Sequence, residues 1–402
     1  MTGHSVSVIV VSRHRPAALR RSLVALTQQD HPEFEVIVVA DPEGLAAVAE
    51  FTVKSAAFDE ANISVARNAG LALASGQVVA FIDDDSVAEP TWLSRLVAPF
   101  ADETVNAATG FVRGRNGISR QWGAAWVDLQ GGETRFDLPP EGAVFDAEAD
   151  RALKTQGTNC AFRRTRLLAV GGFDPAYRFY HDETDVNLRM RARTAVVPMA
   201  QVVHLFGESE RRRADRVPKT LIEIGASSAV FLRRHAPDSV FDEVYRALRQ
   251  KQMAGLMDHA QAARLGTTQV WALLQSFDRG WAAGMERALG PLEPLRAAKT
   301  ALLPLPGTGP RKGLVIAARL WQKKRRQAEA QQAVKAGRIV TLFCLSLTAR
   351  PHWQSFSDDG YWLQQGGIFG RSLRSGPRMQ FSTLKRRVAE EALRCAAVRP
   401  VA

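Results

Sequence analysis

One stretch of the chain decides the fold: residues 78–86 read VVAFIDDDS. Its five apolar residues have the length of a strand that is buried on both faces. Three carboxylates, Asp83 to Asp85, follow at once. Because like charges repel, their position at a strand end indicates a bound cation. Carboxylate oxygens suit Mg²⁺ or Mn²⁺, which commonly bridge them to the phosphates of a substrate. The alternative is a solvated acidic loop that caps a helix beginning near residues 90–92.

Outward from this stretch, short β-rich runs alternate with helical patterns. The runs are Ser5 to Val11 and Glu35 to Val39, and the helical patterns are Pro16 to Gln28 and Ser64 to Ala74. This βαβ rhythm predicts an α/β fold with a parallel, doubly wound sheet. Ligands of such sheets bind beyond the carboxyl ends of the strands, so the polar residues at those ends are the candidates for a binding site.

Eight motifs of the chain resemble, in the same order, those of the family 2 glycosyltransferases. They are VVSRHRP (10–16), EVIVVAD (35–41), SVARNAG (64–70), AFIDDD (80–85), GTNCAFRR (157–164), GGFD (171–174), HDETDVNLR (181–189) and VVH (202–204). The resemblance runs from about Ser5 to about Pro237. It implies the GT-A fold, a nucleotide-sugar-binding domain whose mostly parallel sheet is flanked by helices. It also implies a UDP-, GDP- or dTDP-linked sugar as donor, and Mn²⁺ or Mg²⁺ as cofactor.

The resemblance further implies roles for single residues. Those that would bind the nucleotide sugar are Ser12, Asp41, Arg67, Asp83 and Asp84, and those that would hold the metal are Asp85, Asp83 and His204. A guanidinium suits phosphate oxygens, and an imidazole ligand weakly favours Mn²⁺ over Mg²⁺. Three of these residues have a structural role as the alternative: Asp41 as a turn residue, Arg67 as a solvated helix residue and His204 as a packed histidine. In addition, Ala40 stands where the family more often has a second Asp beside Asp41.

The segment from Asp182 to Asp185 is expected to carry the catalytic base. Helical spacing places Asp182 and Asp185 on one side and turns Glu183 about 100° away. The family has an acidic pair whose second member is the base, which implies Glu183. Asp182 is the alternative, because the chain has Asp-Glu where Glu-Asp is commoner. Asp182 also suits the start of a helix, where a carboxylate satisfies free amides.

The acceptor and the transferred sugar are expected near Gly157, Thr158 and Asn159, because a glycine permits close approach of the backbone to a ligand. The preceding segment, 107–156, is rich in glycine and aromatic residues, among them Trp122 and Trp126. We expect most of these aromatic residues to pack a long connection, with stacking on sugar rings as the alternative.

The charge of the chain is unevenly distributed. The sequence has 53 Lys and Arg against 41 Asp and Glu, a net charge of +12, yet residues 1–235 hold 27 basic and 29 acidic residues. We therefore divide the chain into a GT-A domain, 1–237, and a mainly helical, basic C-terminal region, 238–402. Helices are predicted over 241–265, 269–289 and 314–335, a linker over 303–313, a strand over 338–347 and a loop over 360–370. The basic run from Arg319 to Arg326, with Arg386 and Arg387, suits an anionic membrane surface, and an ordinary solvated helix face is the equal alternative.

Composition and cysteine usage exclude several classes of protein. With 46% hydrophobic and 23% charged residues the chain is not a disordered one. Its three cysteines lie far apart, which predicts neither a disulfide framework nor a zinc site. The N-terminus lacks the pattern of a signal peptide, and no apolar stretch approaches the ~20 residues that span a bilayer. We expect a cytoplasmic protein without transmembrane helices, located peripherally at the inner membrane face.

Together these features predict an inverting, metal-dependent glycosyltransferase. It would move a sugar from a nucleotide-sugar donor to a hydroxyl of a glycan or lipid-linked acceptor, in cell-surface polysaccharide biosynthesis. One alternative is a glycosyltransferase-like scaffold that has lost activity and only binds. The other is a nucleic-acid-binding protein that uses the basic C-terminal region. Because the sequence has no recognisable reading helix and no aromatic-basic sheet, we expect no nucleic-acid partner.

Overall fold

The computed structural model describes residues 4–205, 207–208 and 210–401. The strands are β1 (Val6–Val11), β2 (Phe34–Ala40), β3 (Lys54–Ala57), β4 (Val78–Asp83), β5 (Ser86–Ala88), β6 (Ala107–Arg113), β7 (Arg120–Trp122), β8 (Ala125–Asp128), β9 (Glu133–Arg135), β10 (Ala143–Phe145), β11 (Arg151–Leu153), β12 (Cys160–Arg163), β13 (Thr194–His204), β14 (Gly313–Arg319), β15 (Ile339–Ser346), β16 (Trp353–Phe356) and β17 (Trp362–Gly367). The α-helices are α1 (Pro16–Leu26), α2 (Pro42–Ala47), α3 (Ile63–Leu71), α4 (Trp92–Val97), α5 (Arg164–Ala169), α6 (Asp182–Met190), α7 (Ile222–His235), α8 (Phe241–Gln261), α9 (Thr267–Glu286), α10 (Lys323–Lys335) and α11 (Leu384–Ala396).

A large sheet forms the centre of the first part, with the strand order β10-β13-β6-β12-β4-β1-β2-β3. The four strands β3, β2, β1 and β4 are parallel to one another. Beyond β4 the sheet is mixed: β12 is antiparallel to both β4 and β6, whereas β6 and β13 are parallel. The predicted α/β fold with helices flanking a largely parallel sheet is confirmed, and β3 is a strand that the sequence analysis did not predict.

The two faces of this sheet bury two apolar cores. Val8 and Val10 lie in a cluster with Leu23 of α1, whereas Ile9 between them lies in a second cluster with Ala66 of α3. Alternate residues of a strand point to opposite faces, so a strand that is apolar at every position needs a helical layer on each side. With both faces covered, the edge formed by the strand ends is where a ligand can reach the backbone and the polar side chains.

Two long helices follow this sheet domain, α8 and α9, close to the predicted ranges. Helix α9 packs against α7 across the predicted division at residue 237. A Cβ atom at Gly280 would lie 2.0 Å from the carbonyl oxygen of Ile222, and one at Gly284 would lie 2.3 Å from that of Ala226. The two helix backbones therefore meet at a distance that only glycine permits.

The end of the chain forms a second sheet, with the order β14-β15-β17-β16, and this corrects part of the prediction. The predicted strand at 338–347 is present as β15. The helix predicted over 314–335 begins only at Lys323, because residues 313–319 form β14, and the predicted loop over 360–370 contains β17. The C-terminal region is therefore not only helical: its second half is an α/β unit with α10 on one face of the sheet and α11 on the other.

A buried ion-pair cluster joins the second sheet to the first domain. Glu89 accepts hydrogen bonds from Arg113 (2.9 Å) and from both Nε (2.9 Å) and Nη2 (2.5 Å) of Arg399. The Arg399 guanidinium also lies 3.8 Å from the ring centroid of Trp362. Because these side chains are buried, removing Glu89 would leave two arginines without their carboxylate, and removing one arginine would leave Glu89 with a single cation.

Cys160, Cys344 and Cys395 are buried and free, with no disulfide between them. Across the described residues, none of the helices has both the length and the apolar character required to cross a membrane.

Candidate active site

Polar residues of three parallel strands meet at one edge of the large sheet. Val11 pairs with Val39 of β2 and with Asp83 of β4, so that Ser12, Asp41 and the acidic triplet all follow strand ends at the same level. The triplet lies at the position expected for a binding site of a doubly wound sheet.

Two of the three triplet carboxylates form a group with a histidine. Ligand atoms of Asp83, Asp85 and His204 all lie within 4.8 Å of one another. β13 brings the histidine there by pairing antiparallel with β5, which places His204 opposite Ser86. The His204 Nε2 atom lies 3.1 Å from Asp85 Oδ1. Burial acts to raise the pKa of Asp85, but the histidine hydrogen bond and the nearby charge of Arg15 hold that pKa at about 2.

The middle carboxylate, Asp84, is not part of this group. It is fully buried, accepts a hydrogen bond of 2.6 Å from the Ser12 hydroxyl, and lies 2.5 Å from the Arg15 Nη2 atom. Burial raises the pKa of Asp84 to about 7, against the opposing charge of Arg15. Asp84 and Ser12, both expected at the nucleotide, thus bind each other and tie β1 to the acidic turn.

Arg15 is a site residue that the sequence analysis did not single out. Its guanidinium bridges two carboxylates, since Nη2 contacts Asp84 and Nη1 lies 3.1 Å from Asp85 Oδ2. It belongs to the same motif as Ser12, but nothing in the sequence distinguishes it from Arg13, which instead pairs with Asp59. Arg15 places a positive charge beside the acidic triplet.

Asp41 begins α2 and holds the turn after β1. Its Oδ1 atom accepts a hydrogen bond from the His14 backbone N–H (2.8 Å), and its Oδ2 atom accepts one from that of Gly44 (3.2 Å). These bonds lower the pKa of the carboxyl, although burial opposes them. Asp41 thus has a structural role in the turn before α2, and a nucleotide contact would use the remaining acceptor capacity of the same carboxylate.

Arg67 is the central cation of the site. Its guanidinium, 4% exposed, forms an ion pair with Asp182, donates a 3.0 Å hydrogen bond to the Gly157 carbonyl and lies 3.5 Å from Asp83. The rings of Phe81 and Phe173 lie 5.6 and 5.2 Å from its central carbon, within the range of cation–π attraction. Burial alone would lower the pKa of Arg67, but the adjacent carboxylates raise it. Arg67 is thus a buried, permanently charged residue, and not a solvated helix residue.

The acidic pair lies in the first turn of α6, after two residues in the left-handed region. Tyr180 and His181 have φ angles of +72° and +68°, a conformation that is uncommon outside glycine and concentrates at functional sites. Asp182 is buried against Arg67, whereas Glu183 is half-buried. Burial and the adjacent Glu183 raise the pKa of Asp182 to about 7, with Arg67 acting in the opposite direction.

Of residues 157–159, the first two lie at the site and the third supports the sheet beneath it. A Cβ atom at Gly157 would lie 3.0 Å from Arg67 Nη2 and 3.4 Å from Glu183 Cδ, so the glycine backbone lies beside both side chains. The Thr158 hydroxyl accepts a 3.4 Å hydrogen bond from the Asp83 backbone N–H. The Asn159 side chain, in contrast, is fully buried and uses its amide for Trp92, Phe111 and Ala200. Asn159 thus supports the sheet under the site.

The aromatic residues of 107–156 mostly pack together. The ring centroid of Trp126 lies 6.1 Å from that of Phe136 and 5.6 Å from that of Phe145. Trp122 differs, because its ring centroid lies 5.4 Å from that of His204. Trp122 therefore borders the acidic group through His204.

Comparison with known proteins identifies the segment that carries part of this geometry. Residues 7–166 match the sequence profile of glycosyl transferase family 2. That segment belongs to glycosyl transferase family 2. The match includes Arg67 and the acidic triplet, whereas Glu183 and His204 lie beyond its end.

Two curated relatives are similar to part of the chain. The glucosyl-dolichyl phosphate glucuronosyltransferase of Haloferax volcanii is 31% identical over 112 residues, which cover 28% of this chain and 34% of that protein. The succinoglycan biosynthesis protein ExoM of Rhizobium meliloti is 31% identical over 121 residues, covering 28% of this chain and 39% of that protein. The chain thus spans between a third and two-fifths of the length of these relatives. Among solved structures, that of GalNAc-T7 with UDP, GalNAc and Mn²⁺ is similar with a TM-score of 0.45 and 15% identity, covering 71% of this chain and 56% of that one.

Proposed function

We propose that the protein is an inverting, metal-dependent glycosyltransferase that moves a sugar from a nucleotide sugar to a hydroxyl of a glycan or lipid-linked acceptor. One observation carries the proposal. At the strand ends of the family 2 segment, Asp83 and Asp85 form with His204 a group that suits a divalent cation. Next to this group lie the buried Arg67 and the half-buried carboxylate of Glu183. The named roles of the two curated relatives, in glycolipid and succinoglycan assembly, support cell-surface glycan synthesis as the setting.

The residues at the acidic turn fit a divalent metal ion. Asp83, Asp85 and His204 supply two carboxylates and one imidazole within 4.8 Å, a donor set that suits Mn²⁺ and, less well, Mg²⁺. A bound ion supplies charge neutralisation for the departing nucleoside diphosphate. The chain itself adds Arg15, whose guanidinium contacts Asp85. A phosphate oxygen of the donor would compete with Asp85 for this guanidinium.

The donor diphosphate would lie beside the acidic group and Arg67, whose guanidinium is 3.5 Å from Asp83. The guanidinium of Arg67 is held in place by Asp182 and by the Gly157 carbonyl, so it requires no reorganisation as charge develops on the leaving group. Its charge is also permanent, because the neighbouring carboxylates raise its pKa. Arg67 therefore stabilises the leaving nucleoside diphosphate, and Asp182 acts as a positioning residue.

Glu183 is the carboxylate available as general base. Asp182 next to it is already used by Arg67, and Asp185 by His235 and Arg189, whereas Glu183 is half-buried beside Gly157. Glu183 removes the proton from the acceptor hydroxyl as that oxygen attacks the anomeric carbon. The new oxygen–carbon bond forms as the carbon–phosphate oxygen bond breaks, and the bonding electron pair leaves with the nucleoside diphosphate. A single displacement of this kind inverts the anomeric configuration.

Donor screening followed by turnover tests this function. The full chain would be mixed with UDP-, GDP- and dTDP-sugars in the presence of Mn²⁺, and the thermal midpoint and the release of nucleoside diphosphate would be recorded. We expect one nucleotide class to raise the midpoint and to be turned over, and excess EDTA to abolish both effects. Stabilisation by a donor without release or transfer, with any acceptor glycan offered, would favour the inactive scaffold. Undiminished transfer in EDTA would contradict the metal requirement.

A further inference from the structure

The second sheet brings three strand ends to one edge. In β14 and β15, Arg319 pairs with Leu345, and in β15 and β17, Ser346 pairs with Gly367, all in parallel register. The segments that follow these strands therefore start side by side, about 4.8 Å apart. The segment after β17 stays there, because Gly370 forms a bridge with Met379. We call the residues of these segments, 320–325, 347–350 and 378–386, the carboxyl edge.

Large apolar side chains project into solvent from the carboxyl edge. Trp321 is 76% exposed, Leu347 62% and Phe381 78%, and Leu320 and Met379 are about half exposed. Within the described part of the chain, four large apolar side chains are more than 60% exposed, and three of the four are at this edge. Isolated exposed apolar residues are normal on protein surfaces, but a group of them indicates an interaction surface.

Basic residues surround these apolar side chains. Lys324, Arg325, Arg350, Arg378 and Lys385 are all exposed. Among the residues that the structure describes, none of these five has a carboxylate within ion-pair distance. The whole segment 313–402 holds 16 basic and 5 acidic residues. The carboxyl edge therefore carries an uncompensated positive charge.

The position of this charge is unfavourable for the helices that carry it. Basic residues occupy the first turns of both α10 and α11, and neither first turn has an acidic residue. A positive charge at a helix N-terminus opposes the helix macrodipole and therefore destabilises the helix. Helix stability thus gives no reason for placing these cations at the carboxyl edge.

We propose that the carboxyl edge docks onto an anionic lipid bilayer, with Trp321, Leu347 and Phe381 entering the interface and the basic residues contacting headgroup phosphates. Apolar side chains interleaved with lysine and arginine complement a surface that is anionic outside and apolar beneath. A nucleic acid fits less well, because leucine and methionine have no stacking partner there and α10 and α11 cover both faces of the sheet. The surface would hold the enzyme against the membrane.

Vesicle co-sedimentation of the full chain tests this proposal. We expect binding to vesicles of phosphatidylcholine with phosphatidylglycerol, little binding to vesicles of phosphatidylcholine alone, and release by added salt. The double variant K324Q/R325Q should bind about twenty-five-fold more weakly, at about five-fold for each basic residue. The variant W321A should bind about ten-fold more weakly or worse, because the ring loses its apolar contact with the bilayer.

Matched variants away from the edge serve as controls. Trp271 in α9 and Leu393 near the end of α11 are also exposed, so W271A and L393A remove similar apolar area elsewhere and should bind vesicles like the unaltered chain. Unfolding midpoints of all variants should agree, because the altered side chains are at the surface. Vesicle binding needs neither donor nor turnover, so its failure and a failure of the proposed glycosyl transfer are separate results.

Four results would overturn the proposal. They are the absence of binding at low salt, equal binding to both vesicle types, equal losses in the edge and control variants, and salt-sensitive retention on duplex DNA that exceeds retention on vesicles. A dimer that forms without lipid and is lost in W321A would assign the edge to a second copy of the chain instead.

Discussion

Replacing Arg67 by methionine is expected to destabilise the protein by about 3–5 kcal/mol at pH 7, because a buried carboxyl loses its cation and must either take up a proton or stay charged without a partner. In the native protein the Arg67 guanidinium is 4% exposed, pairs with Asp182 and donates to the Gly157 carbonyl at 3.0 Å. Methionine has a similar length and packs well against aromatic rings, so the space between Phe81 and Phe173 stays filled. The expected loss is therefore mainly electrostatic.

The size of this loss should depend on pH through Asp182. Burial and Glu183 raise the pKa of this carboxyl from 3.8 to about 7, while Arg67 opposes them. A carboxyl whose pKa is higher in the folded state binds more protons when folded, so stability falls as pH rises from the unfolded to the folded pKa. Without Arg67 the pKa of Asp182 in the folded state moves above 7, so the pH range over which stability falls extends upward. Above pH 7 the variant should lose a further ~1.4 kcal/mol per pH unit relative to the native protein, up to its own pKa.

Urea unfolding at pH values from about 6 to about 9 measures both effects. The control is R20M, because Arg20 pairs with Glu50 at the surface, where the two side chains are 41% and 56% exposed. Exposed pairs contribute about 0–1 kcal/mol, so this control should lose little stability at any pH. A loss in R67M that is no larger than that in R20M, or that is the same at every pH, would refute the reasoning.

Three further predictions follow from the same contacts. Gly157→Ala places a Cβ atom 3.0 Å from Arg67 Nη2; kcat should fall ten-fold or more, since small displacements of reacting groups are costly, while the urea midpoint changes little. Arg399→Met leaves the buried carboxylate of Glu89 with one arginine instead of two; unfolding should show a loss of about 3 kcal/mol, and an unchanged midpoint would show that the cluster does not stabilise the junction. Asp85→Asn removes a carboxylate from the metal group; Mn²⁺ titration should show an affinity at least about ten-fold lower, and equal affinity would place the metal elsewhere.

The sequence allowed the sheet edge to be predicted because strand ends carry local signals. An apolar run followed by Asp83 or by Ser12 indicates both a strand and the residue at which it ends. Parallel strands then bring these ends to the same edge of the sheet. The position of Arg15 was not predictable in the same way. Three basic side chains follow Ser12, and only their distant partners, Asp59 for Arg13 and the acidic triplet for Arg15, decide which of them turns inward.

The C-terminal errors have a different cause. Residues 314–318 are apolar at nearly every position, so a helical and a strand interpretation both fit, and the structure shows alternating burial at Ile316 and Ala318. Residues 313–319 form a strand and not a helix because all seven pair with β15. In 360–370 the glycines suggested a loop, but β17 is held between β15 and β16 despite them. Tertiary pairing overrides local preference in both places.

The general-base assignment is tested most directly by comparing Glu183→Gln with the unaltered chain on the donor identified by screening. The substitution keeps the shape of the side chain and removes its ability to accept a proton. Transfer should fall by about 10²–10⁴-fold while the Kd for the donor changes by less than a few-fold, since a base that acts on the acceptor contributes to the chemical step and not to donor binding. Transfer by Glu183→Gln at a rate close to that of the unaltered chain would contradict the account.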